Sequence, residues 1–112
     1  FWNESEASKR VYTSSGPMPD KYKIAQNYPN PFNGMTTILF AIPDYSHVIL
    51  SITDIRGNTI ATLINQPMLP GNHTINWYGK SDAGNHQDSG VYLIYLNKGG
   101  KVKNSKRLLF LK

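Results

Sequence analysis

At 112 residues the chain is one domain's worth of polypeptide, long enough to bury about 65% of its unfolded surface in a single core. It contains no cysteine, which excludes a disulfide framework, a thiolate metal site and a cysteine nucleophile. The formal charge of +5 is unevenly placed: six of the twelve Lys and Arg (Lys98, Lys101, Lys103, Lys106, Arg107 and Lys112) follow Asn97, where no acid occurs.

Phe1 to Asp20 is mostly polar and reads as a linker or the tail of a preceding domain, with the domain proper over residues 21–112. The first residue is Phe rather than Met, so the expectation is a segment of a longer protein. A short strand near Tyr22 to Ala25 leads into "QNYPNPFNG", Gln26 to Gly34. Each proline there removes an N–H and biases the residue before it towards extended backbone, which predicts a stiff, extended segment. Gly34 is expected to turn the chain out with positive φ, and the rings of Tyr28 and Phe32 to close one end of the core.

"TTILFAI" (Thr36 to Ile42) is a strand with Ile38, Phe40 and Ile42 on one face. "HVILSITDI" follows, with Val48, Leu50 and Ile52 inward and Ile49, Ser51 and Thr53 on a partly wet face. Asp54 to Asn58, with Asp54 and Gly57 as turn residues, connects to "TIATLI" as a hairpin, and "NQPMLPGN" is expected to break that strand. "HTINWYG" alternates His73, Ile75 and Trp77 against Thr74, Asn76 and Tyr78, making Trp77 a core anchor with His73 on its face. After the polar "KSDAGNHQDSG", a last hairpin turns at Asn97 to Gly100. Seven strands and no helical periodicity predict an all-β, antiparallel immunoglobulin-like β-sandwich.

Chemistry-bearing groups are sparse. His47, His73 and His86 lack metal-ligand spacing, the seven acids are scattered singly, and neither a phosphate-binding glycine loop nor a nucleophile elbow occurs. No catalytic residue and no cofactor are therefore assigned. Asp82, Asn85 and Asp88 offer oxygen ligands for a hard cation, but "DAGN" is also ordinary turn composition, and the turn is the preferred reading. Nucleic acid would ask for aromatics interleaved with the basic strip, where only Phe110 is found, so none is expected as a partner. A sugar-binding row could draw on Tyr78, Tyr92 and Tyr95, although Tyr92 and Tyr95 fall on opposite faces.

The ordered series "YPNPFN", "TTILFAIP", "SITDIRGNTIATL", "PGNHTINWYGKSDAGN", "SGVYLIYL" and "KRLLFLK" resembles the carboxyl-terminal sorting domain of type IX secretion cargo. Within that family it resembles the subgroup similar to the immunoglobulin-like domain of the flagellar hook-capping protein. The resemblance implies a non-catalytic address at the end of a larger exported protein of a Gram-negative bacterium, covalently linked to its N-terminal cargo. It further implies reading by outer-membrane secretion machinery, removal by a sortase-like peptidase, and passage through the periplasm to the surface or medium. Anionic lipopolysaccharide is a further ligand in that picture. The motif positions it marks for recognition are Pro29, Asn30, Pro31, Phe32, Asn33, Gly90, Tyr92, Lys106, Arg107 and Lys112, and cleavage is expected within Ser14 to Lys21. Gly34 stands where the family usually has proline, and Trp77-Tyr78-Gly79 where it usually has "WDG". The rival readings are a carbohydrate-binding or spacer module of a surface enzyme and a hook-cap-type assembly domain.

Overall fold

A computed structural model describes residues 18–112. Most of the expected linker, residues 1–17, lies outside the described residues, as does the first part of the expected cleavage segment. The described chain forms seven strands: β1 (Lys23–Ile24), β2 (Thr36–Ile42), β3 (Ser46–Asp54), β4 (Thr59–Met68), β5 (Gly71–Trp77), β6 (Gly90–Lys98) and β7 (Lys101–Phe110). They make two antiparallel sheets, β1-β2-β5 and β4-β3-β6-β7. This is the β-sandwich expected from the sequence.

The sheets face each other because each strand alternates apolar residues with a period of two. Ile38, Phe40 and Ile42 of β2 meet Val48, Leu50 and Ile52 of β3 and Ile94 and Leu96 of β6 in one core. Burying each of these side chains contributes about 1.5–3 kcal/mol relative to leaving it in water. The face of β3 opposite the core is drier than its sequence implies: Ser51 and Thr53 are 8% and 6% exposed. β3 is central, flanked by β4 and β6, so small side chains on that face are shielded by the neighbouring strands.

"NQPM" does not break the chain as expected. β4 continues through Asn65 and Pro67 to Met68, with Pro67 opposite His47. β4 is an edge strand, where every other N–H points away from the sheet and a proline can sit without costing a ladder bond.

The pairings define two poles. At one, Thr36 lies opposite Trp77, Asp54 opposite Tyr92 and Gly90 opposite Phe110. At the other, Ile42 lies opposite Gly71, Ser46 opposite Met68 and Lys98 opposite Lys101. The motifs singled out in the sequence gather mainly at the first.

Candidate functional site: the motif pole

The asparagine–proline segment links the two sheets. Tyr28 pairs with β2, its N–H donating to the Thr37 carbonyl at 3.0 Å and its carbonyl accepting from the Thr37 N–H at 2.8 Å. Four residues on, the Phe32 N–H donates to the Leu109 carbonyl at 3.0 Å, and the Phe32 carbonyl accepts from the Leu111 N–H at 2.8 Å. Between these two bridges the chain is a run of bends rather than the extended segment expected. Two separate sheets must be reached within four residues, and the prolines have no N–H to leave unpaired in the bends. Gly34 does not adopt positive φ, so the turn out of the segment needs no left-handed residue there.

Only one of the two rings closes the core. Phe32 is 2% exposed, whereas Tyr28 is 79% exposed. Cross-strand partners share a face, and Tyr28 pairs with Thr37, which lies between the inward-facing Thr36 and Ile38 and so on the outer side of the sheet. Beneath the bends sits Asn27, which is buried and bonded on both ends of its amide. Its Nδ2 donates to Thr36 Oγ1 at 2.9 Å and to the Pro29 carbonyl at 3.3 Å, and its Oδ1 accepts from Gln26 Nε2 at 2.8 Å. Thr36 Oγ1 also donates to the Pro29 carbonyl at 2.8 Å. Sequence reasoning did not single out Asn27 or Thr36; three asparagines crowded around two prolines were the only available signal.

Phe32 is one of four aromatic residues from four distant segments. Its ring stacks on Phe110 with centroids 4.8 Å apart and lies 5.6 Å from Trp77. Trp77 meets Tyr92 edge-on at 5.5 Å and Phe110 at 6.3 Å. Such offset and edge-to-face pairs add about 0.5–1.5 kcal/mol each beyond area burial. The polar ends are satisfied: Trp77 Nε1–H donates to the Lys80 carbonyl at 2.9 Å, and the Tyr92 hydroxyl donates to the Asp88 carbonyl at 2.7 Å. Burial pushes the Tyr92 phenol above its ordinary value, with the Asp88 and Asp54 charges acting in the same direction, so it remains a donor.

The carboxyl end is fastened to this cluster. The Leu109 N–H donates to Asn30 Oδ1 at 2.9 Å, and the Lys112 N–H to Ser89 Oγ at 2.8 Å. Lys112 Nζ lies 3.6 Å from the Asp88 carboxylate in an exposed pair of the kind that adds little stability. Pro29, Asn30, Pro31 and Asn33 are exposed beside Lys112, and with Leu111 and Phe32 the prolines, Asn33 and Lys112 line an open groove. Arg107 is exposed and Lys106 half-buried further along β7, while Gly90 begins β6 opposite Phe110.

His73 sits apart from this cluster. Towards the other pole it is half-buried, its Nε2 lying 2.8 Å from the Leu69 carbonyl and its ring stacked on Phe40 at 5.5 Å, so it is a rim residue rather than a partner of Trp77. Asp82 holds the Thr62 N–H with both carboxylate oxygens, at 3.0 and 3.1 Å, and Asn85 N–H donates to Ser81 Oγ. Among the described residues no group of three or more His, Cys, Asp or Glu is arranged to hold a metal. Tyr78 is exposed but Tyr92 is buried, so Tyr78, Tyr92 and Tyr95 form no common platform for a sugar ring.

The Asp54 turn closes the same pole. Asp54 Oδ1 accepts the N–H groups of Arg56 and Asn58, each at 2.9 Å, and Gly57, at φ 91°, donates to the Asp54 carbonyl. The Asn58 N–H, with the Asn58 side chain, Arg56 N–H and Arg56 charge in support, holds the Asp54 carboxyl below its ordinary 3.8. A carboxyl depressed on folding stabilises above its unfolded pKa, and that contribution is lost as pH falls through the folded value. The thermal midpoint is therefore expected to fall on acidification below about pH 4, and to fall less steeply in Asp54→Asn. Scanning calorimetry of both chains across that range measures the difference.

Residues 26–110 match the model of a family described as the secretion system C-terminal sorting domain. No match was found among the curated proteins. Among solved structures, the chain is similar to dimeric latent PorU of Porphyromonas gingivalis, with TM-score 0.62 and 19% identity over 92% of this chain and 10% of that one. It is similar to FLGD of P. aeruginosa, with TM-score 0.55 and 18% identity over 86% of this chain and 76% of that one. A third likeness is to PorZ of P. gingivalis, described as an essential surface component of the type-IX secretion system. There the TM-score is 0.50, with 20% identity over 81% of this chain and 11% of that one. At these identities the structural likeness is one of fold, and the chain spans only about a tenth of PorU and of PorZ.

Proposed function

The chain belongs to the secretion system C-terminal sorting domain family, and from that membership we propose the part each surface plays in sorting. The domain directs a larger exported protein through the type IX secretion system, by way of the periplasm and across the outer membrane, to the cell surface or medium. The match over residues 26–110, covering six of the seven strands and all four residues of the aromatic cluster, is the observation that carries this reading.

In this reading residues 21–112 are the address and residues 1–20 the link to cargo. The domain acts by being recognised and performs no catalysis of its own. Its partners are the cargo and the secretion machinery. The finer steps are that a sortase-like peptidase cuts within Ser14 to Lys21 and that the cargo is then fixed to lipopolysaccharide. The buried Phe32 and Tyr92 hold the motif pole in shape. Pro29, Asn30, Pro31, Asn33, Arg107 and Lys112 supply the surface that is read, a division supported by their exposure. Placement in the hook-cap-like subgroup is part of the same reading.

A periplasm-directed fluorescent protein fused ahead of the 112-residue chain tests the assignment. In a type IX-competent bacterium the fluorescence is expected at the surface or in the medium, and in a secretion-null strain it is expected to stay in the periplasm. Equal retention in both strains would refute sorting by this chain.

A further inference from the structure

Each edge of the four-stranded sheet is capped over part of its length, and the two differ in charge. Along β4 cover is given at its start, where the Asp82 N–H donates to the Ile60 carbonyl at 3.1 Å and the Asp82 carboxylate takes the Thr62 N–H. Along β7 the outward backbone is bonded at the end, where Leu109 turns its N–H to Asn30 and its carbonyl to Phe32, and the Asn104 side chain accepts the Ile24 N–H of β1 at 3.0 Å. In a strand the outward peptide groups recur every second residue, so Arg107 and Ser105 face the same way as Leu109. Both are exposed, and none of the hydrogen bonds among the described residues uses their outward groups. The open stretch ends at the ladder irregularity opposite Leu96 and Asn97, where Lys103 is passed over between Asn104 and Val102.

This open edge is positive. Lys101, Lys103, Lys106 and Arg107 lie on β7, and no acid of the described residues pairs with them. Like charges facing each other oppose pairing of two copies through this edge, whereas an acidic strand meets complementary charge. The edge already accepts added backbone in one place, since Phe32 bridges Phe110 in parallel.

We propose that the β7 edge at Ser105 to Arg107 receives an extended acidic segment of a partner protein. The segment adds as a short strand between the Asn30 side chain and the irregularity at Lys103. Backbone hydrogen bonds supply the attachment, and the flanking Lys and Arg select for carboxylates. The proposal rests on the sorting reading only in taking that partner to be part of the export machinery.

The test uses the ¹⁵N-labelled 112-residue chain and two blocked heptapeptides, one alternating Glu with Val and one alternating Lys with Val. The Ser105 and Arg107 amides are expected to exchange rapidly in the free chain and to slow on the order of tenfold with the Glu–Val peptide. The Lys–Val peptide should leave them unchanged, and added salt should weaken the effect. Ser105→Pro removes an outward N–H without touching the ladder to β6, and should abolish the protection. If that variant does not fold, the pair Lys103→Glu and Arg107→Glu should transfer the preference to the Lys–Val peptide. Slow exchange at Ser105 and Arg107 in the free chain, equal response to both peptides, shifts centred elsewhere, or pairing of two copies through β7 would each overturn the proposal. Peptide binding is read without export: its loss beside normal export removes the edge alone, and its persistence beside failed export removes the sorting reading alone.

Discussion

Removing "KRLLFLK", Lys106 to Lys112, is expected to abolish both the fold and export of attached cargo. The deletion takes Leu108 and Phe110 from the core, together with the backbone to which Phe32 is bonded. Losing a buried Leu or Phe side chain costs about 2–5 kcal/mol each, against a total stability of about 5–15 kcal/mol for a domain of this size. The last half of a strand goes with them, so the truncated domain should give no cooperative melt, and its cargo should remain in the periplasm or be degraded there. Phe110→Ala separates shape from charge, because it opens a cavity beside Phe32 and Trp77 while every basic residue stays. It should lose export in step with its loss of stability. A truncated chain that still melts cooperatively and still delivers cargo would refute the view that the motif pole is one folded unit.

Gly79→Ala should lower the thermal midpoint by on the order of 10–20 °C. Gly79 has φ 72°, where an L side chain is strained by about 1–2 kcal/mol, and a Cβ there would lie 2.8 Å from Phe110 Cζ. The Phe110 ring cannot swing aside, because Phe32 stacks on it and Trp77 packs against it. Overpacking of that kind adds about 1–3 kcal/mol to the backbone strain. Gly57→Ala is the control: its φ is 91°, yet nothing lies within 4 Å of an added Cβ, so it should show the backbone cost alone. Equal drops for the two variants, measured by calorimetry, would show that contact with Phe110 contributes nothing.

These two residues also show where reading the sequence stops. Phe110 is recognisable as a strand residue from its neighbours, but its contact with Phe32 depends on the register of β7 and on the bends at Pro29 to Pro31. Gly79 follows Trp77 in a familiar pattern, and nothing local states that its missing side chain makes room for a ring thirty-one residues later, 110 − 79. His73 shows the same limit: parity puts it on the face of Trp77, where it stacks on Phe40, but the three residues between them carry it towards the opposite pole.

What the sequence determined by itself was the set of strands and the sandwich they make. The two-residue alternation in Thr36–Ile42 and Gly90–Lys98 is a local pattern, and each strand's inward face is written in its own side chains. The absence of cysteine was equally legible, since it needs only a count. Tertiary structure alone decided that Phe32 is buried while Tyr28 is exposed, that Asn27 is the polar core of the bends, and that Pro67 lies inside a strand. It also decided that the two ends of the domain meet, through a bond from Leu109 to Asn30 between residues 79 positions apart. Pairings of that range depend on how the sheets stack and which strands lie at an edge, and a local pattern of side chains carries no information about either.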